Sequence, residues 1–200
     1  MPRRSPGSAV ALGFRVKTGR AIAVALQGPA SRPSILFRRE VQLWDPKVPE
    51  SHQPYHGAIM PFVPASPKAI ERGRKAAARA AAQVVQTLCE ELHAAGHCLA
   101  GVTLVVVSNP DISRIGSAHV RAHALEGILF REILEEAARA CRLPATVVLE
   151  REALARTAAA LKRTPAQLQS TLADFRARIG SPWRAEEKSA ALGALLAFRW

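Results

Sequence analysis

Residues 9–26, which read AVALGFRVKTGRAIAVAL, decide the fold class. Two runs of apolar residues, 10–16 and 21–26, flank the polar segment 17–20, which contains Gly19. A short turn with glycine between two such runs predicts a β-hairpin. A third run of the same kind, SILFRREVQLW, follows at 34–44. The chain is therefore expected to open with three antiparallel strands.

Helices and buried strands alternate over the rest of the chain. Ser66-Pro67 is typical of a helix N-terminus, and Gly96 of a helix end. We predict helices at 67–95, 117–142, 151–162, 165–179 and 184–198, and strands at 102–107 and 145–149. The second helix is expected to bury Leu125, Ile128, Leu129, Ile133, Leu134, Ala137 and Cys141. Such alternation implies parallel crossovers, so residues 9–200 are predicted to form one α/β domain with a mixed sheet and helices on both faces.

Two segments are expected to lie outside this regular pattern. Residues 1–8 are predicted to be a disordered basic tail without an export signal. Residues 45–65 contain five prolines and are predicted to form a long loop without regular structure. This loop holds the only tyrosine and two histidines, which fits either a lid or partner-docking segment or a stiffened surface crossing.

The charge balance is strongly basic. Lys and Arg number 28 against 16 acids, which gives a formal net charge of +12. A nucleic-acid partner would explain this excess through phosphate neutralisation, whereas an arginine-rich composition would explain it without any partner. The cations proposed to contact nucleic acid are Arg15, Arg72, Arg74, Lys75, Arg79, Lys162 and Arg163.

Cellular location is inferred from two negative features. The longest strongly apolar stretch, 99–107, is too short to cross a bilayer. The three cysteines are odd in number and lack CxxC spacing, which argues against a disulfide framework or a cysteine zinc site. We therefore expect a cytoplasmic protein without a membrane partner.

Three segments resemble the RuvC-type Holliday-junction resolvases. TPAQLQ at 164–169 is similar to that family's K-x-Q-V-Q pattern, and AEEKSAALGALL at 185–196 is similar to its terminal helix with D-x-x-D-A-L-A. LGFR at 12–15 lies where the family has G-I-D on its first strand. The resemblance covers residues 9–28 and 99–198. It implies a ribonuclease H-like fold and an ancestry in nucleic-acid processing.

The chain departs from that family at its metal-binding acids. The family holds two divalent ions with carboxylates, which clamp the attacking and leaving oxygens of phosphoryl transfer. The matching positions here hold Arg15, then Val107 or Ser108, then Glu186 or Glu187, and finally Ser189. Residues 9–26 contain no Asp or Glu in any register. The resemblance and this departure together predict a domain that binds DNA or RNA without cutting it and without a cofactor.

Other functions remain as alternatives. One is a divergent metal-dependent nuclease or hydrolase, with a relocated site formed by Asp111, His119, His123 and Glu187. His119 and His123 are four residues apart and share a helix face with Glu126 nearby, although such a pair is also common on solvated surfaces. Another alternative is a scaffold protein that forms a homodimer through the helix at 67–95. Residues 153–169 also have the spacing of a helix-turn-helix.

Overall fold

A five-stranded mixed sheet forms the centre of the chain, which the computed structural model describes over residues 9–29, 31–58 and 62–198. In chain order the strands are β1 (Ala9–Lys17), β2 (Arg20–Gln27), β3 (Ser34–Gln42), β4 (His56–Ala58), β5 (Val63–Pro64), β6 (Cys98–Val106) and β7 (Ala145–Leu149). The main sheet has the order β3-β2-β1-β6-β7. β1, β2 and β3 pair antiparallel, whereas β6 and β7 are parallel to β1. The predicted mixed sheet is confirmed, and the predicted tail at 1–8 lies outside the described residues.

Five helices cover both faces of this sheet. They are α1 (Pro67–Ala94), α2 (Ala118–Ala140), α3 (Glu150–Leu161), α4 (Pro165–Ile179) and α5 (Ala185–Ala197). Because side chains alternate along a strand, Leu12 and Phe14 of β1 pack with α1 and α2, whereas Val24 of β2 and Val105 of β6 pack with α3, α4 and α5. The fold is therefore a three-layer α/β domain with two apolar cores.

Glycine allows α5 to lie directly against β1. A Cβ atom at Gly13 would be 1.9 Å from the Ala190 carbonyl oxygen, and one at Gly193 would be 2.9 Å from Val105 Cγ2 and 3.5 Å from the Gly13 Cα. Neither position has room for a side chain. This close approach places the first half of α5 above the C-terminal end of β1, where polar side chains from both elements meet.

The segment at 45–65 is more regular than the sequence predicts. Its described part contains a 3-10 turn at Pro49–Ser51 and a two-stranded ribbon of β4 and β5, in which His56 pairs with Pro64. Proline is tolerated in β5 because a two-stranded ribbon has free edges that require no N–H donor. The prediction of a loop without regular structure is therefore wrong for these residues.

The surface of the described residues has few exposed large hydrophobic side chains. They are Val63, Val107 and Val120, and none lies on α1. A homodimer through α1 stays a prediction that a solution mass measurement would test. None of the described helices combines the length and the apolar character that a membrane span requires.

Candidate functional site

The first candidate site lies where α5 crosses the end of β1. We call it the arginine–carboxylate site, formed by Arg15, Glu150 and Ser189. Arg15 Nε and Nη2 donate to the two Glu150 carboxylate oxygens at 2.7 and 2.8 Å, and the Ser189 hydroxyl donates to Glu150 Oε1 at 2.7 Å. The side chain of Arg15 is 7% exposed and that of Glu150 33%. The hydrogen bond from Arg15 is the main reason that the pKa of Glu150 lies below its usual range.

A second carboxylate on this face, Glu186, is held by cations of the β1–β2 hairpin. Lys17 Nζ lies 2.6 Å from Glu186 Oε1, and Arg20 Nη1 lies 3.1 Å from Glu186 Oε2. Burial would raise the pKa of Glu186, but the hydrogen bonds from Lys17 and Arg20 outweigh it and lower the pKa. The third carboxylate, Glu187, accepts the Arg184 backbone N–H at 2.8 Å and caps α5.

These three carboxylates do not form a metal-binding cluster. Arg15, Lys17, Arg20 and a backbone amide already occupy their oxygens. Within residues 9–29, 31–58 and 62–198, only one group of three His, Cys, Asp or Glu side chains brings its ligand atoms within 4.8 Å of one another, and it contains none of these acids. Among the described residues, the end of β1 therefore carries a network of ion pairs and hydrogen bonds around these three carboxylates.

The group that does converge is a histidine cluster, formed by His56, His119 and His123. It lies on the other face of the sheet, where β4 meets the first turns of α2. The Nε2 atoms of His119 and His123 are 3.0 Å apart, and the His56 ring centroid is 4.5 Å from that of His123. Phe62 stacks on His119 and contacts the edge of His56. The cluster thus has one aromatic wall and a solvent-facing side at His123.

Glu126 lies beneath the histidine cluster and is fully buried. Its Oε1 is 2.7 Å from His56 Nδ1, and its Oε2 is 3.6 Å from His123 Nδ1. Burial raises the pKa of Glu126 to about 7, although His123 opposes this shift, and burial lowers the pKa of His56. A carboxylate of raised pKa in contact with a histidine is an arrangement that can hold or pass a proton near neutral pH.

The structure brings together only part of the relocated site expected from the sequence. His119 and His123 meet as predicted, but Asp111 accepts hydrogen bonds from its neighbour Ser113, and Glu187 belongs to the opposite layer. The sequence had indicated Glu126 only as a neighbour of the histidine pair, and it had not indicated His56. The available signals were weak, since His56 lies in the proline-rich segment and Glu126 three residues after His123.

The predicted nucleic-acid-binding cations do not form one surface. Arg15 is internal, and Lys162 and Arg163 lie between α3 and α4, in the layer opposite α1. The remaining four, Arg72, Arg74, Lys75 and Arg79, are exposed on the N-terminal half of α1. Three of these four line one groove together with Lys68 and Glu71, and we call the four cations Lys68, Arg72, Lys75 and Arg79 the α1 basic face.

Comparison with known proteins identifies similar structures but no related sequences. No protein-family model matches the chain, and no curated protein matches it in sequence. Its structure is similar to RuvC of Thermus thermophilus in complex with a Holliday junction substrate, with a TM-score of 0.55 at 12% identity over 95% of this chain and 93% of that one. A second structure of Thermus thermophilus RuvC gives a TM-score of 0.55 at 11% identity, over 94% of this chain and 93% of that one.

The yeast mitochondrial Holliday junction resolvase Ydc2 is also similar, with a TM-score of 0.53 at 14% identity over the whole chain and 79% of that protein. These likenesses extend over nearly the full chain, including the segments between the motifs noted in the sequence. The chain therefore has the RuvC-like ribonuclease H fold, as its sequence predicted. At such low identity the likeness establishes the fold alone.

Proposed function

We propose that this chain is a single ribonuclease H-like domain that binds nucleic acid and does not cut it. One observation carries the proposal. By its resemblance to the resolvases, Arg15 lies at the position on β1 where that family has its first acid. Glu150 accepts hydrogen bonds from both Arg15 and Ser189 there. A guanidinium has no lone pair to give to a divalent ion, and Arg15 also occupies both oxygens of Glu150, so neither side chain is left to hold the ions that two-metal cleavage needs. One of the similar structures holds RuvC with a Holliday junction substrate and another is a Holliday junction resolvase, which favours a nucleic-acid partner.

The α1 basic face is the surface that we assign to phosphate contact. Lys68, Arg72, Lys75 and Arg79 follow one another along about 16 Å of helix, at a rise of 1.5 Å per residue. Arg72 pairs with Glu50 and Lys75 with Glu71. Both cations and Glu71 are mostly exposed, whereas Glu50 is 27% exposed. Ion pairs of exposed groups contribute little to stability, so a phosphate can compete for Arg72 and Lys75.

The position of these cations also favours an anionic partner. They lie in the first half of α1, whose N-terminus carries the positive end of the helix dipole. Cations there destabilise the free helix, and a bound phosphate would relieve their mutual repulsion. Arg74 flanks the same helix half and faces Glu132 and Glu136 of α2, so we assign it a smaller role.

The binding test uses fluorescence anisotropy with a labelled 30-base-pair duplex and a labelled four-way junction. Four phosphate contacts predict a roughly 150-fold loss of affinity between 50 and 200 mM NaCl, from a slope of about −0.9 per contact. The triple variant Arg72→Gln, Lys75→Gln, Arg79→Gln should retain one of the four contacts and lose only about 4-fold over the same range.

A matched control removes the same charge from the opposite layer. Arg151, Arg176 and Arg178 are exposed on α3 and α4, and their triple Gln variant should bind like the unmodified chain. Equal weakening by the two triple variants would refute the assignment to α1. Absence of binding at 50 mM NaCl would refute nucleic-acid binding itself.

Cleavage is tested separately on a denaturing gel with Mg²⁺ or Mn²⁺. We expect intact duplex and intact junction after incubation at saturating protein. Metal-dependent cleavage that His123→Ala abolishes would overturn the non-cutting proposal in favour of the hydrolase alternative. Binding and cleavage thus give independent answers.

A further inference from the structure

We propose that His56, His119 and His123 bind one Zn²⁺ ion, with Glu126 as the group that orients the ligands. This site is separate from the arginine–carboxylate site and from the α1 basic face, and it goes beyond the proposed function. It does not depend on nucleic-acid binding, because its residues lie on β4 and α2.

The ligand atoms are close to the spacing that zinc requires. Tetrahedral Zn²⁺ with bonds of about 2.0–2.1 Å to nitrogen holds its ligand atoms about 3.3 Å apart. The Nε2 atoms of His119 and His123 are 3.0 Å apart, and one ring nitrogen from each of the three histidines lies within 4.8 Å of the others. Binding of the ion would require the more distant of these nitrogens to move in from at most 4.8 Å. Helical i,i+4 spacing keeps His119 and His123 on one face.

His56 supplies an independent sign of a ligand. Its side chain is 2% exposed, and its Nε2 has no hydrogen-bond partner among the described residues. An unpaired buried polar atom is costly, and most such atoms in native structures are satisfied by protein, water or an ion. A metal ion at the centre of the histidine cluster would satisfy it.

Glu126 determines which ring nitrogen of His56 is left to coordinate a metal ion. Its carboxylate is 2.7 Å from His56 Nδ1; when ionised it accepts a hydrogen bond from that nitrogen, which leaves the Nε2 lone pair for the metal ion. The other oxygen lies toward His123 Nδ1 at 3.6 Å. In zinc sites, a ligand histidine usually donates a hydrogen bond from its other ring nitrogen to a carboxylate or a carbonyl, which fixes the orientation of the ring. This role of Glu126 also accounts for a fully buried acid on the apolar side of α2.

The ligand set selects the class of metal. Three imidazoles suit Zn²⁺, Cu²⁺ or Ni²⁺, whereas Mg²⁺ prefers oxygen ligands. Zn²⁺ fits best because it accepts a tetrahedral arrangement with three protein ligands and one open position. That position faces solvent beside His123, whose side chain is 49% exposed, so water or an anionic group would complete the site.

The test measures zinc binding to the full chain without an affinity tag, after removal of metal with a chelator. Isothermal titration calorimetry with ZnCl₂ should give one ion per chain, and MgCl₂ should give no heat. His119→Ala and His123→Ala should each weaken zinc binding by more than about 100-fold, and Glu126→Gln by about 10–100-fold. His93→Ala, which removes an exposed histidine from α1, is the matched control and should bind zinc as the unmodified chain does.

Two further measurements keep the result unambiguous. Far-UV circular dichroism checks that the variants fold, and His123→Ala is the safest of them because His123 is half exposed. Substitution with Co²⁺ should give visible bands of a four-coordinate nitrogen site without the near-UV thiolate bands that cysteine ligands produce. Unchanged zinc affinity in the His119→Ala, His123→Ala double variant, or thiolate bands, would overturn the proposal. The anisotropy of labelled DNA is expected to be unaffected by His119→Ala, so the two proposals can fail separately.

Discussion

Breaking the ion pair between Arg15 and Glu150 is the sharpest test of the arginine–carboxylate site. Arg15→Met keeps most of the side-chain volume and removes the charge, and Glu150→Gln keeps the shape and removes the opposite charge. Fully exposed pairs couple by about 0–1 kcal/mol, whereas removal of one partner of a fully buried pair costs about 3–5 kcal/mol. With Arg15 7% exposed and Glu150 33% exposed, this pair lies between those limits.

The expected losses of unfolding free energy follow from what each change leaves unpaired. Arg15→Met should cost about 2.5 kcal/mol, because Glu150 keeps only the Ser189 hydroxyl and its access to water. Glu150→Gln should cost about 2 kcal/mol, because the guanidinium keeps the Val16 carbonyl but loses its charged partner. The double variant should cost about 2.5 kcal/mol, which gives a coupling energy of about 2 kcal/mol.

Urea denaturation of the four proteins in a double-mutant cycle measures this coupling. At a slope of about 2 kcal/mol per molar urea, Arg15→Met should lower the midpoint by about 1.2 M. The exposed pair of Lys75 and Glu71 serves as the control, and its cycle should give no measurable coupling. If the Arg15 and Glu150 changes were additive within about 0.5 kcal/mol, the ion pair would not hold this site together.

Three further outcomes can be measured with the same urea assay. Gly13→Ala should lower the unfolding free energy by at least about 3 kcal/mol, because its Cβ would lie 1.9 Å from the Ala190 carbonyl oxygen. The control Gly127→Ala has nothing within 4 Å of its new Cβ and should be neutral or stabilising by about 1 kcal/mol. Equal effects of the two substitutions would refute the close contact at Gly13. The pKa of Glu150 is lower in the folded state than in the unfolded state. The ionised Glu150 therefore adds to the unfolding free energy at pH values above its unfolded pKa of about 4.3, and this addition is lost as the pH falls through its folded-state pKa. Glu150→Gln should therefore lose less stability than the unmodified chain between pH 7 and pH 3, and parallel profiles would contradict this. Thr164→Ala removes the side-chain cap of α4 and should cost about 1 kcal/mol, with a cost below about 0.3 kcal/mol counting against the capping box.

Much of the fold was predictable because its signals are local. The hairpin of β1 and β2, the Ser66 and Thr164 caps and the bounds of most helices follow from turn residues and apolar periodicity within short windows. The start of β6 was placed four residues late. Residues 98–101 become a strand because they pair with β1, with a bulge next to Ala11, and that pairing has no local signal.

The buried face of α2 was predicted only in part. Leu129, Ile133 and Leu134 are buried as expected, but Leu125 and Ile128 are half-buried, and the fully buried positions include Phe130 and Glu126. Apolar periodicity cannot place a carboxylate inside a core. The carboxylate of Glu126 can be buried because it has a hydrogen-bond partner in His56, which is 70 residues away in the chain.

The sequence by itself determined the order of elements and the loss of the acid on the first strand, because both depend on residue type along a continuous segment. Only the tertiary structure decided what replaced that acid. Arg15 meets Glu150 across 135 residues, and Glu186 meets Lys17 across 169. The pair of Lys17 and Glu186 forms because Gly13 and Gly193 let α5 lie directly on β1, which depends on the packing of two layers. The same packing of layers separates the histidine cluster from Glu187, which sequence reasoning had joined to it.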